Sequence, residues 1–133
     1  MNSRTATVVV PQPKQALFSY LSNVANLPKW ATEFCRDLRF IDGKYKVVTC
    51  DPSMEEVFFD VRADQQTGVI DMFAGPTEDQ MGVFPTRVVE ISPGSSAFVF
   101  TMFQPPSMSD DEFEKRYESL KREFANIERE FRP

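Results

Sequence analysis

Residues 109–133 read SDDEFEKRYESLKREFANIEREFRP, and this stretch decides the fold because it spells a single capped, amphipathic helix that must lie on an apolar surface. Pro105 and Pro106 end whatever precedes it. Ser109 followed three residues later by Glu112 forms a capping box, and Met108 and Phe113 occupy the two positions of a hydrophobic staple. Phe113, Tyr117, Leu120, Phe124, Ile127 and Phe131 recur at spacings of four and three and so share one stripe, while Glu112/Arg116, Glu118/Arg122 and Glu128/Arg132 stand at i,i+4 elsewhere on the helix. Burying each of the stripe side chains is worth roughly 1.5–3 kcal/mol before entropy is subtracted. Such a helix is a clamp on the remainder of the chain.

The 133 residues are 41% hydrophobic, which suits a single domain, 1–133, with one sizeable core. A net charge of −5 with scattered Lys and Arg argues against nucleic-acid binding. No apolar run approaches the roughly 18–20 residues that span a bilayer, and Met1–Val10 lacks a secretory pattern, so a cytoplasmic chain without membrane insertion is expected. The sequence contains no histidine, which removes Ser/His and Cys/His nucleophile pairs. Two cysteines without histidine cannot complete a structural zinc site, so neither a metal nor a cofactor is expected.

Upstream of the helix, Arg4–Val10 reads as a strand stopped by Pro11 and Pro13. Ala16, Leu17, Tyr20, Leu21 and Val24 repeat at helical spacing, and Pro28 restarts a second short helix near Trp30. Six strands follow, at about 35–41, 44–50, 54–63, 68–74, 80–91 and 96–104, punctuated by Gly, Pro and Asp turns. Pro85 inside the fifth of these cannot donate to a ladder and predicts a bulge or an unpaired position. The Asp42-Gly43 turn sets Ile41 opposite Lys44. That register gives Leu38, Phe40, Tyr45 and Val47 one face, and places Cys35 opposite Cys50 on the other with Asp37, Arg39, Lys44 and Lys46. The cysteines are read as reduced thiols, with a redox-sensitive pair as the alternative.

This order, together with Val8-Val9-Val10-Pro11 running into Leu17–Leu21, Asn26-Leu27-Pro28-Lys29-Trp30 and Phe100–Ser109, resembles the START-like (SRPBCC) superfamily. That superfamily includes polyketide cyclase/dehydrase and birch-pollen-allergen-like proteins. Gly68-Val69-Ile70-Asp71, Arg87-Val88-Val89 and Pro-Pro-x-Met-Ser before the last helix look like a subgroup of small, uncharacterised bacterial members. The resemblance covers nearly the whole chain. It implies an α+β helix-grip fold, in which a seven-stranded antiparallel sheet curls around the carboxy-terminal helix and leaves a cavity for a hydrophobic ligand such as a lipid, an isoprenoid or a polyketide.

Thirteen Phe and six Met fit an adaptable apolar lining, and equally an ordinary core. Alternation groups Phe59 with Val61, Asp71 with Phe73, and Phe98 with Phe100 and Met102; Tyr117, Leu120 and Phe124 face them from the helix, and Trp30 either caps the cavity or plugs helix against sheet. Asp71, flanked by apolar residues, pairs in this reading with Arg87, either as an exposed salt bridge or as a buried pair in which Asp71 is a candidate general base. Three functions follow: non-enzymatic binding of a small hydrophobic molecule, a cyclase/dehydrase-like enzyme, or an interaction module with a vestigial cavity. A monomer or weak homodimer is expected, since about three heptads with one stripe serve the monomer's own core.

Overall fold

The computed structural model describes residues 1–51 and 56–132. Its elements follow the chain as β1 (Ser3–Val10), α1 (Lys14–Ser22), a 3₁₀ turn (Val24–Asn26), α2 (Leu27–Trp30), β2 (Cys35–Ile41), β3 (Lys44–Thr49), β4 (Glu56–Asp64), β5 (Val69–Gly75), β6 (Gly82–Phe84), β7 (Thr86–Ser92), β8 (Ser95–Phe103) and α3 (Asp110–Glu130). The start of the strand expected at 54–63 lies outside the described residues. All strands join one antiparallel sheet in the order β1-β8-β7-β5-β4-β3-β2, with β6 paired to β5. β1 and β2 thus occupy opposite edges, and α1, the 3₁₀ turn and α2 bridge between them.

The eighth strand arises at Pro85. Without an N–H, proline interrupts the ladder, so the single strand expected at 80–91 divides: β6 pairs with β5 through Met72 and Phe84, and β7 touches β5 through Val69 and Arg87. The Pro85 carbonyl still accepts from Thr101 N at 3.0 Å, which keeps the interruption attached to β8.

The β2–β3 hairpin follows the predicted register from Ile41/Lys44 to Asp37/Val48. Asp42 and Gly43 both have positive φ, 54° and 77°, as a type I′ turn demands. A bulge at Arg36 then shifts the pairing, so Cys35 stands opposite Thr49 and not opposite Cys50. One extra residue reverses alternation beyond it. Cys35 is therefore buried instead of sharing the polar face, while Cys50 is exposed; both are free thiols.

Burial identifies the concave face. Ala6, Val8, Val57, Phe59, Ile70, Met72, Val88, Phe98, Phe100 and Met102 point inward, and α3 covers them with Phe113, Leu120, Phe124 and Ile127. Ser109 caps α3 by accepting from Glu112 N at 3.2 Å. Asp110, Asp111 and Glu112 fill its first turn, where they complement the helix dipole. Two of the three arginines expected to pair along the helix reach off it instead: Arg116 contacts Asp51 and Arg122 contacts Glu33. Ion pairs to neighbouring segments thus tie the helix to the loops around the sheet.

Candidate functional site

Sheet and helix do not meet everywhere. Between them lies a cavity of about 400 Å³, within the range of small-molecule sites. Phe59 from β4, Met72 and Ala74 from β5, Phe84 from β6, and Phe100 and Met102 from β8 form the sheet wall. Leu27, Trp30, Ala31 and Phe34 close one side, and α3 contributes Leu120 together with a polar strip of Lys115, Arg116, Ser119 and Glu123. That strip runs about 12 Å along the helix axis at 1.5 Å per residue. Thr49, Cys50 and Asp51 complete the lining beside it.

Aromatic packing holds the apolar part rigid. Phe98 lies edge-on to Trp30 at 5.9 Å and 5.6 Å from Phe124, and Phe100 stands 5.9 Å from Phe84. Such pairs add roughly 0.5–1.5 kcal/mol beyond area burial. Thr86, a buried polar residue of β7, satisfies its hydroxyl by donating to the Ile70 carbonyl.

Glu123 is the exceptional residue. It is 6% exposed, a position where an unpaired carboxylate would be costly. Its Oε2 accepts from the backbone N–H groups of Glu33, at 3.1 Å, and Phe34, at 3.2 Å. Oε1 makes no hydrogen bond among the described residues, and no fully sealed side-chain polar atom there lacks a partner, so this oxygen keeps accessible surface on a residue that lines the cavity. Burial pushes its pKa up to about 7, with the nearby Glu33 charge adding to the rise against the two N–H groups and Arg122. A carboxyl at that value changes charge near neutrality.

Neighbouring side chains fasten the same region. Arg122 grips Glu33 with two 2.7 Å hydrogen bonds, and Asn126 Nδ2 donates to the Trp30 carbonyl and to Thr32 Oγ1, both at 2.9 Å. Arg122 also holds the Glu33 carboxyl below its ordinary pKa. Residues 122, 123 and 126 of α3 therefore latch the segment after α2. Cys35, inside this segment, donates to the Asp37 carbonyl at 3.4 Å. Burial pushes its thiol up to about 11, which keeps it protonated and unreactive at neutral pH.

Of the residues singled out from sequence, Trp30, Phe59, Phe100, Met102 and Leu120 line the cavity. Phe98 and Phe124 lie behind that lining, and Val61 shares the inner face, half-buried. Tyr117 sits at the sheet edge, its ring 4.0 Å from the Arg4 guanidinium and its hydroxyl donating to the Thr5 carbonyl at 3.4 Å. Asp71, Phe73 and Arg87 fall on the outer face, because Ile70 and Met72 take the inward positions of β5 and Thr86 and Val88 those of β7. Asp71 stands opposite Arg62, and the Arg62 guanidinium lies 4.9 Å from the Phe73 ring. Arg87 is opposite Val69 and donates to the Thr67 carbonyl at 3.2 Å. The expected Asp71–Arg87 pair does not form, and Asp71 lies across the sheet from the cavity.

Sequence reasoning passed over Glu123. Its signal was present: three residues after Leu120 and four before Ile127, it falls within the apolar stripe. Among the described residues no group of three His, Cys, Asp or Glu side chains could hold a metal ion, and no helix is long and apolar enough to cross a membrane.

No protein-family model matches the sequence, and no curated sequence matches it significantly. Solved structures do match the fold. XoxI from Bacillus cereus superposes with a TM-score of 0.75 at 11% identity, over 98% of this chain and 96% of that one. A START superfamily protein from Mycobacterium smegmatis gives 0.73 at 14%, over 97% and 96%. The Zhui aromatase/cyclase from a Streptomyces species gives 0.66 at 16%, over 98% and 96%. The chain therefore has the START-like helix-grip fold: a curled antiparallel sheet gripping a long carboxy-terminal helix, with two short helices after the first strand. At these identities the likeness defines architecture, and function must be argued from the cavity.

Proposed function

We propose that this chain binds a small, predominantly apolar molecule in the cavity between the sheet and α3, as a carrier or sensor in the cytoplasm and without transforming it. One observation carries the reading: the space of about 400 Å³ is walled by Phe, Met, Leu and Trp side chains, and one buried carboxylate, Glu123, belongs to its lining. Mostly apolar walls with few convergent polar groups are what a small-molecule site requires. The START superfamily and aromatase/cyclase neighbours support the reading at the level of fold.

Native mass spectrometry of gently purified protein, followed by organic extraction, tests it. A stoichiometric apolar compound is the expected result, and Ala74→Trp, which fills the lining, removes it. A wild-type protein that emerges empty, and whose Trp30 fluorescence responds to no apolar compound, overturns the reading. Trp30 is the sole tryptophan and lines the cavity, so it reports occupancy directly.

A second reading, an acid/base enzyme of the cyclase/dehydrase kind, is favoured by the same carboxyl. A group with a pKa of about 7 is suited to exchanging protons near neutral pH, and Glu123 replaces Asp71 as the residue to test. If Glu123→Gln abolished turnover of a polyketide mimic while binding persisted, catalysis would take precedence.

A further inference from the structure

The geometry points to a specific ligand polarity: the cavity takes an apolar molecule that carries at one end a hydrogen-bond donor, a hydroxyl or an amine, directed at Oε1 of Glu123. This rests on the cavity being a binding site and adds what polar group the ligand must carry.

The two carboxyl oxygens of Glu123 differ in their surroundings. Oε2 is committed to the Glu33 and Phe34 N–H groups, which fixes the carboxyl plane, and Oε1 of this cavity-lining residue is left without a partner. A carboxylate oxygen in that position accepts hydrogen bonds and offers none. The surrounding charges do not supply the missing donor. Arg122 is spent on Glu33 and Ser119, and Arg116 is paired with Asp51 at 3.2 Å. Lys115 lies eight residues away along α3, about 12 Å by helix rise. The Cys35 thiol is neutral and donates to Asp37, and Cys50 contacts the Thr32 carbonyl. A ligand donor therefore meets an acceptor that is already desolvated and held still, so little ordering remains to be done on binding. A ligand carboxylate or other anion placed against Oε1 would meet like charge, which is unfavourable.

Three probes of equal chain length isolate the effect: octanol, octylamine and methyl octyl ether, titrated against Trp30 fluorescence at pH 8, where Glu123 is mostly ionised. Octanol binds at least about tenfold tighter than the ether, as expected for a hydrogen bond to a charged acceptor. Octylamine matches or exceeds octanol, and their order tells which donor class fits better. The preference over the ether shrinks at pH 5.5, where the carboxyl is protonated, and it collapses in Glu123→Gln, whose amide oxygen keeps both backbone contacts while an NH₂ faces the cavity. Because the pH series uses wild-type protein, it decides the matter even if the variant folds poorly. Equal affinities for octanol and the ether at pH 8 overturn the proposal while leaving the cavity a binding site. No response to any of the three probes overturns this inference, and together with an empty wild-type protein in the native mass spectrum it removes the binding reading as well.

Discussion

Replacing Glu123 by Gln makes the pH dependence of stability a test of the whole site description. The carboxyl has an ordinary pKa of 4.5 when unfolded, raised to about 7 in the folded chain chiefly by burial. A raised folded value means that the native state binds the proton more tightly. The group's stabilising contribution is therefore full below pH 4.5 and is lost as pH climbs through 7. At 1.36 kcal/mol per pKa unit, wild type should lose about 2–3 kcal/mol between pH 5 and pH 8 from this residue. Other perturbed groups stay out of that window. Glu33, lowered by Arg122, contributes stability that is lost only below its ordinary value; Cys35 and Tyr20, both raised, lose theirs above 9 and 10 respectively. The Gln side chain can accept the same two N–H groups but does not titrate. Urea denaturation followed by Trp30 fluorescence gives both stabilities across the range. The difference between variant and wild type should move in the variant's favour by about 2–3 kcal/mol from pH 5 to pH 8, whatever its absolute size. A difference that stays constant across that range would refute the buried, cavity-facing carboxyl on which the ligand argument depends.

Asn126→Ala removes two hydrogen bonds that latch α3 to Trp30 and Thr32. A loss of about 1–3 kcal/mol is expected in the same urea titration. Gly68→Ala forces a side chain into φ +80° with its Cβ 2.2 Å from the Val88 carbonyl oxygen, so a loss exceeding about 1–2 kcal/mol should appear as a lowered melting temperature. Asp71→Asn should leave the affinity for any cavity ligand unchanged in a fluorescence titration, since Asp71 stands on the outer face opposite Arg62. A marked drop there would contradict the assignment of faces.

Most of the architecture was legible because it depends on local chemistry. Ser109, the Met108/Phe113 staple and the stripe from Phe113 to Phe131 specify α3 through spacing alone, and Asp42-Gly43 specifies one hairpin through its φ requirement. Pro85 announced a disturbed ladder because proline lacks a donor. What escaped were features created by register and by contacts between distant segments. The Arg36 bulge inserts one residue and turns Cys35 inward, and no residue-type pattern marks it. Asp71 and Phe73 looked like lining because alternation shows which residues share a face without showing which face is concave. Glu123 drew no notice because a charged side chain does not suggest burial, although its spacing put it on the stripe. Only the Glu33 and Phe34 N–H groups, ninety residues back along the chain, make that position tolerable.

The strand order has a consequence for how the molecule is made. β1 forms its ladder with β8, pairing Ser3 with Phe103 across a hundred residues, and α3 follows β8. During synthesis from the amino terminus, β1 waits as an unpaired strand until nearly four-fifths of these residues have emerged. The inner faces of β4, β5 and β8, carrying Phe59, Met72, Phe98 and Phe100, stay wet until α3 arrives. Such long-range pairing is slow to form, and bare apolar faces and open strand edges invite association with other chains. The helix that completes the cavity is thus also the last barrier against aggregation of the nascent chain, which ties the formation of the site to the end of folding.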